Sequence, residues 1–125
     1  MIRAFTALSV MFISFTGGCA RQDNDNLALS VTAGDPANGR RLLYSYGCGS
    51  CHVIPGVGEA YGTIGPPLRG FGSRLYIAGV LQNTPENLFR WIAQPQEVQP
   101  GNAMPDLGAT QEQARDMAAY LYTLR

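Results

Sequence analysis

Two thiols and an imidazole fall within one pentapeptide, Cys48-Gly49-Ser50-Cys51-His52, and that spacing dictates a chemistry. Cysteines at i and i+3 on one helical turn can each add to one of the two vinyl groups of a haem. The adjacent imidazole then projects from the same turn toward the iron, for which it is a good axial ligand. C-x-x-C-H is the attachment pattern of covalent haem. Gly49 and Ser50 are expected to keep bulk away from the ring edge. Two other uses of paired cysteines fit less well. A redox C-x-x-C pair needs a strand–helix–strand setting, and no strand pattern of any length is present. A zinc site takes about four Cys or His ligands, whereas beyond Cys19 the chain offers two Cys and one His.

His52 is the only histidine, so a second imidazole cannot complete the coordination of an iron held there. Beyond the N-terminal segment only Met104 and Met117 remain as thioether donors. Met117 shares an apolar helical stripe with Ala114, Ala118 and Leu121 and is expected to pack. Met104 lies in a loop, Pro100-Gly101-Asn102-Ala103-Met104-Pro105, with no stripe to join, and is expected to be the second axial ligand. His52 and Met104 would fill both axial positions, leaving the iron no vacancy for substrate, and Met ligation raises its reduction potential. That chemistry is single-electron transfer without catalytic turnover. If Met104 only packs, the alternative is a five-coordinate haem sensor or weak peroxidase.

The elements that must position these groups are short. Asp35-Pro36 is a helix start, with the carboxylate as cap and Pro in the first turn. Leu42, Leu43 and Tyr46 supply its apolar side, and Gly47 can end it in the left-handed conformation. The stretch 55–72 is rich in Gly and Pro and reads as loop. Thr84-Pro85-Glu86 repeats the start signal, Leu88, Trp91 and Ile92 share one face, and Pro95 closes the segment. After a second loop, 100–108, Thr110 and Gln113 form a capping box for a last helix. The class is therefore all-α, three to four short helices with long loops. Loops of that length in a small domain are usually wrapped around something, and one covalent haem is the evident object.

The 125 residues amount to one domain. Formal net charge is zero and every basic residue is Arg, which implies no nucleic-acid partner and weakly charged docking. Arg3, the apolar run 4–15 and the small residues Thr16, Gly17 and Gly18 read as a signal peptide, 1–18. The run is too short for a membrane span of about 20 residues. Cys19 directly after two glycines points to a lipidated cysteine, although Thr16 stands where such signals usually carry Leu. Ordinary cleavage or a retained anchor remain the alternatives. Residues 19–34, rich in Asp and Asn, are expected to be a flexible tether, with the ordered domain at 35–125. Lipidation of Cys19 and haem attachment at Cys48 and Cys51 would leave no odd thiol.

From Asp35 to Arg125 the chain resembles class I cytochromes c. The order matches: an early helix, C-x-x-C-H, Gly65-Pro66-Pro67-Leu68, a middle helix, a Met loop and an aromatic-bearing last helix. The segments Asn83-Thr84-Pro85-Glu86-Asn87-Leu88 and Pro100 to Gly108 are most similar to the cytochrome c domain of subunit II of bacterial haem–copper oxidases and its free-standing, membrane-anchored relatives. With no copper-site domain ahead of it, a free-standing relative is expected. The resemblance implies a Pro66 carbonyl accepting from the His52 imidazole, Arg74 beside a haem propionate, and Trp91 beside the Met104 ligand. It also implies a close crossing of first and last helices in which Gly39 admits the Tyr120 ring. In function it implies a respiratory electron carrier at the periplasmic face of a bacterial membrane, lipid-anchored or soluble. The implied acceptor is a terminal haem–copper oxidase, and the donor a quinol-oxidising complex or periplasmic dehydrogenase. A permanently bound haem subunit of a dehydrogenase or oxidase is the rival arrangement.

Overall fold

The computed structural model describes residues 19–125. The expected leader, 1–18, and the side chain of Cys19 lie outside the described residues. Five helices follow in order: α1 (Cys19–Thr32), α2 (Pro36–Ser45), α3 (Pro85–Ala93), α4 (Pro95–Val98) and α5 (Gln111–Thr123). Single 3₁₀ turns occur at Cys48–Ser50 and Phe71–Ser73.

The helix starts follow from their caps. Asp35 accepts from the N–H groups of Ala37 and Asn38 ahead of Pro36, and Thr84 accepts from Asn87 ahead of Pro85. Thr110 and Gln113 close a reciprocal capping box on α5. Each cap satisfies amides that the first helical turn cannot pair internally. Gly47, at φ 70, turns the chain out of α2 directly into the cysteine pentapeptide. Pro95 separates α3 from α4, as its missing N–H requires.

Helices α2, α3 and α5 enclose the core, with Leu43, Leu88, Ile92, Met117 and Leu121 buried together beside Ile54, Leu68 and Phe71 from the long loop. The crossing of α2 over α5 is very close. A Cβ at Gly39 would stand 1.9 Å from the Asp116 carbonyl oxygen. The nearest atoms there are backbone of Asp116 and Met117, not the Tyr120 ring expected from the sequence. Tyr120 instead donates its hydroxyl to the Pro55 carbonyl at 2.7 Å, pinning the loop after the pentapeptide to α5.

Two further expectations are corrected. Residues 19–32 are helical rather than a flexible tether, and α1 packs on α5. Ala28 is 1 % exposed and Thr32 is buried, its hydroxyl donating to the Ala28 carbonyl at 2.6 Å and accepting from Gly34 N at 3.1 Å. Asn and Asp disfavour an isolated helix, but tertiary packing overrides propensity in most protein helices. The second correction is a small antiparallel hairpin, β1 (Tyr76–Ile77) with β2 (Leu81–Gln82), Tyr76 opposite Gln82 and Ile77 opposite Leu81. Its turn runs through Ala78 (φ 50) and Gly79 (φ 75) and is closed by Val80 N donating to the Ile77 carbonyl at 3.0 Å.

Candidate functional site: a cavity lined by thiols, imidazole and thioether

One cavity of about 630 Å³ opens between α2, α3, α5 and the loops, within the range of cofactor clefts, about 300–1,000 Å³. Cys48, Cys51, His52, Pro66, Arg74, Trp91 and Met104 all line it. Residues far apart in sequence are thus brought to one surface by the helix crossing and the two long loops. The remaining wall is apolar, with Leu43, Leu68, Phe71, Ile77, Leu88 and Leu121 prominent.

Cys48 opens the 3₁₀ turn that follows Gly47, and His52 N donates to the Cys48 carbonyl at 3.0 Å. One turn therefore carries both thiols and the imidazole. The two cysteines are free thiols. Burial, with a smaller contribution from Cys51, pushes the Cys48 thiol up to about 11, so near neutral pH it stands protonated. Gly49 is buried and does not border the cavity; a Cβ there would strike Ala60 at 2.7 Å. Its small size serves the loop packed behind the pentapeptide rather than a ring edge in front of it, which corrects the reading of the sequence.

The imidazole is fixed from two sides. His52 Nδ1 lies 2.8 Å from the Pro66 carbonyl oxygen, which can only accept, so Nδ1 carries the proton and Nε2 presents a lone pair. Gly65 supplies the other side, because a Cβ there would lie 2.3 Å from His52 Cε1. The glycine lets the backbone lie flat against the ring and holds it in a single orientation.

Arg74 is the one charged side chain among the described residues lining the cavity. Its guanidinium donates to the carbonyls of Pro67 and Arg69 and lies 5.5 Å from the centre of the Phe71 ring. Asn83 braces this segment: its amide donates to the Phe71 and Arg74 carbonyls and its oxygen accepts from Tyr122 at 2.9 Å. Asn83 opens the segment Asn83–Leu88 that carries the resemblance, but nothing in that pattern points to this bracing role, which runs through the carbonyls of Phe71 and Arg74.

Both methionines reach the wall. Met117 is 1 % exposed within the core, as its stripe implies. Met104 is half-buried on a loop whose backbone is held by side chains. Met104 N donates to Asn102 Oδ1 at 2.7 Å, and its carbonyl accepts from Gln96 Nε2 at 2.7 Å. Gln96 does not stand out in sequence, and Asn102, although part of the Met104 loop motif, shows no role there, because their hydrogen bonds close a loop and follow no periodicity.

Haem fits this donor set. Two unpaired thiols, an imidazole with a free Nε2 lone pair and thioethers border one apolar volume, with a guanidinium at its wall to offset carboxylate charge.

Comparison with known proteins agrees. A family model for cytochrome c matches residues 36–125. The chain is 39% identical over 88 residues to cytochrome c oxidase subunit 2 of Alkalihalophilus pseudofirmus, covering 70% of this chain and 25% of that protein. It is 33% identical over 87 residues to the subunit 2 of Bacillus sp., covering 66% of this chain and 24% of that protein. With cytochrome c2 of Rhodopila globiformis it shares 35% identity over 107 residues, 77% of this chain and 99% of that protein. The chain thus spans about a quarter of the length of the oxidase subunits it matches.

Proposed function

This chain belongs to the cytochrome c family, whose members carry electrons rather than catalyse reactions, and we propose that it is a respiratory single-electron carrier with haem c ligated by His52 and Met104. The family implies a class I fold and covalent haem c, and Cys48 and Cys51 stand at the spacing that attachment needs. When bound, haem supplies an iron that exchanges one electron between its ferrous and ferric states.

The chain's own residues do the rest. Cys48 and Cys51 would hold the group by thioether bonds. His52, with its proton kept on Nδ1 by the Pro66 carbonyl, offers Nε2 as ligand, and the hydrogen bond raises the basicity of the ring. Met104 offers a neutral sulfur from the loop after α4. Arg74 would offset the carboxylate charge of the bound group, and Trp91 closes the wall on the side of α3. The apolar lining excludes water, so little reorganisation accompanies a change of charge at the iron. The observation that carries this proposal is the juxtaposition of His52, tautomer set, with Met104 on one cavity.

The similarity to oxidase subunits supports a terminal haem–copper oxidase as electron acceptor, with a quinol-oxidising complex or periplasmic dehydrogenase as donor. We assign residues 1–18 to a signal peptide and 35–125 to the haem domain, with a lipid on Cys19 holding the protein at the periplasmic face of a bacterial membrane. Among the described residues no helix is long and apolar enough to cross a membrane.

The test is the absorption spectrum of the oxidised protein. A weak band toward the red, from sulfur-to-iron charge transfer, is expected in wild type and lost in Met104→Ala. Persistence of the band in Met104→Ala would move the ligand to Met117. A wild type that lacks it and binds carbon monoxide when reduced would instead be an open, five-coordinate site.

A further inference from the structure

The loop that carries Met104 is not held by regular secondary structure, yet its backbone at Gly101, Asn102 and Met104 is engaged by two side chains. Gln96, on α4, uses its whole amide. Oε1 accepts from Gly101 N at 3.0 Å, and Nε2 donates to the carbonyls of Asn102 at 2.9 Å and Met104 at 2.7 Å. Asn102 completes the set: Oδ1 accepts from Met104 N at 2.7 Å, and Nδ2 donates to the carbonyls of Pro95 at 2.9 Å and Gln99 at 2.7 Å. The α4 backbone is tied back as well, Gln96 N donating to Asp106 Oδ1 at 3.2 Å.

Met104 is therefore pinned at both its N–H and its C=O by side chains, and the carbonyl pin comes from outside the loop. We propose that Gln96 is a positioning residue that sets how firmly Met104 fills the sixth coordination position of the iron. This rests on His52/Met104 ligation. The physical reason is the weakness of the ligand. A thioether is uncharged and a modest donor, so its hold on iron depends on being delivered already ordered. An unrestrained Gly- and Pro-containing loop would lose conformational entropy each time the bond formed. Gln96 removes that cost in advance, as preorganisation does for any ligand.

The proposal separates Gln96 from its neighbours. Gln94, on the same segment, bonds through its amide to Glu97 at 3.0 Å and reaches no part of the Met104 loop among the hydrogen bonds of the described residues.

The test uses purified holoprotein and added imidazole, which competes with Met104 for the iron. Gln96→Leu abolishes all three side-chain bonds. Gln96→Glu keeps the shape and the acceptor but sets a carboxylate against two carbonyls. Both variants are expected to bind imidazole about tenfold more tightly than wild type or more, and to lose the red-end band at lower imidazole. Gln94→Ala is expected to match wild type. If Gln96→Leu does not accumulate as holoprotein, Gln96→Glu decides alone. Wild-type imidazole affinity in the Gln96 variants, with the band intact, overturns the proposal and leaves His52/Met104 ligation standing. A wild type without the band, open to carbon monoxide, overturns the ligation itself and the role of Gln96 with it.

Discussion

Asp116 on α5 accepts the backbone N–H of Asp35 at 2.8 Å, so the residue that caps α2 is itself gripped by the helix that α2 crosses. The second Asp116 oxygen accepts from Asn38 Nδ2 at 2.7 Å. One turn along α2 from Asp35, the missing Cβ of Gly39 admits the Asp116 carbonyl. The side chain and backbone of one residue thus fix both the start of α2 and its angle to α5. Because α2 leads through Gly47 into Cys48, this contact also places the attachment turn.

Asp116→Ala is expected to lower stability by about 2 kcal/mol, from two hydrogen bonds to a charged acceptor at a half-buried site. Asp116→Asn should recover only part, because its amide can accept at one end alone. Denaturant unfolding of the holoprotein checks this; a change below about 0.5 kcal/mol in Asp116→Ala would sink it.

Gly65→Ala must push the His52 ring, since the new Cβ would meet Cε1 at 2.3 Å. A ring that yields moves away from the Pro66 carbonyl. Loss of that hydrogen bond makes the imidazole a poorer donor, so the reduction potential should rise by on the order of tens of millivolts. Redox titration of the variant is the measurement, and an unchanged potential would show that the ring keeps its partner.

Burial, reinforced by Glu86, raises the Tyr122 hydroxyl from its ordinary 10 to about 12. In the unfolded chain it ionises near 10, so between pH 10 and 12 the folded state binds the proton more strongly. The stabilising contribution is complete below pH 10 and disappears as pH rises to 12. Tyr122→Phe forfeits the bond to Asn83 at neutral pH but should show a shallower decline across that window. Parallel declines in unfolding experiments at pH 9 to 12 would remove Tyr122 from the alkaline lability of the fold.

Around the cavity mouth, segments 60–68, 75–85 and 98–105 carry no charged side chain. Ile64 and Tyr76, at 74% and 58% exposure, line the opening and face solvent. A partner taking electrons through this face meets an apolar, nearly neutral surface. The rate of electron delivery should change by no more than about twofold between low salt and 0.2 M ionic strength. A steep fall with added salt in stopped-flow oxidation by a haem–copper oxidase would contradict it.

What was legible in the sequence was whatever local chemistry enforces. Asp35-Pro36, Thr84-Pro85 and Thr110 with Gln113 each cap the helix they announce. The residues named for the site all reach one cavity because fixed motifs punctuate fixed loop lengths. Contacts between segments were illegible. The helix α1 is built largely from residues that disfavour an isolated helix, and its packing on α5, with Ala28 and Thr32 buried among the described residues, holds it helical. The hairpin turns on Ala78-Gly79, without the Asn or Asp that usually marks such a turn. Gln96 looks like an ordinary polar residue until the loop closes on it, and the role of Asn102 within its motif shows only then.

The cavity takes its walls from both ends of the folded domain. Leu43 and Cys48 come early in the chain, Met117 and Leu121 from its last helix. Bringing such distant segments together carries a loop-closure cost, and contacts of this range form late in folding. Until α5 docks on α2, a cofactor at the pentapeptide would rest against an unfinished enclosure, with the long loop free to let it escape. Thioether bonds to Cys48 and Cys51 would not depend on that enclosure. Covalent attachment would thus free retention from the folding timetable: a chain so bonded would hold its cofactor from the moment the pentapeptide reacts, and the cofactor would then serve as the template on which the last helix closes.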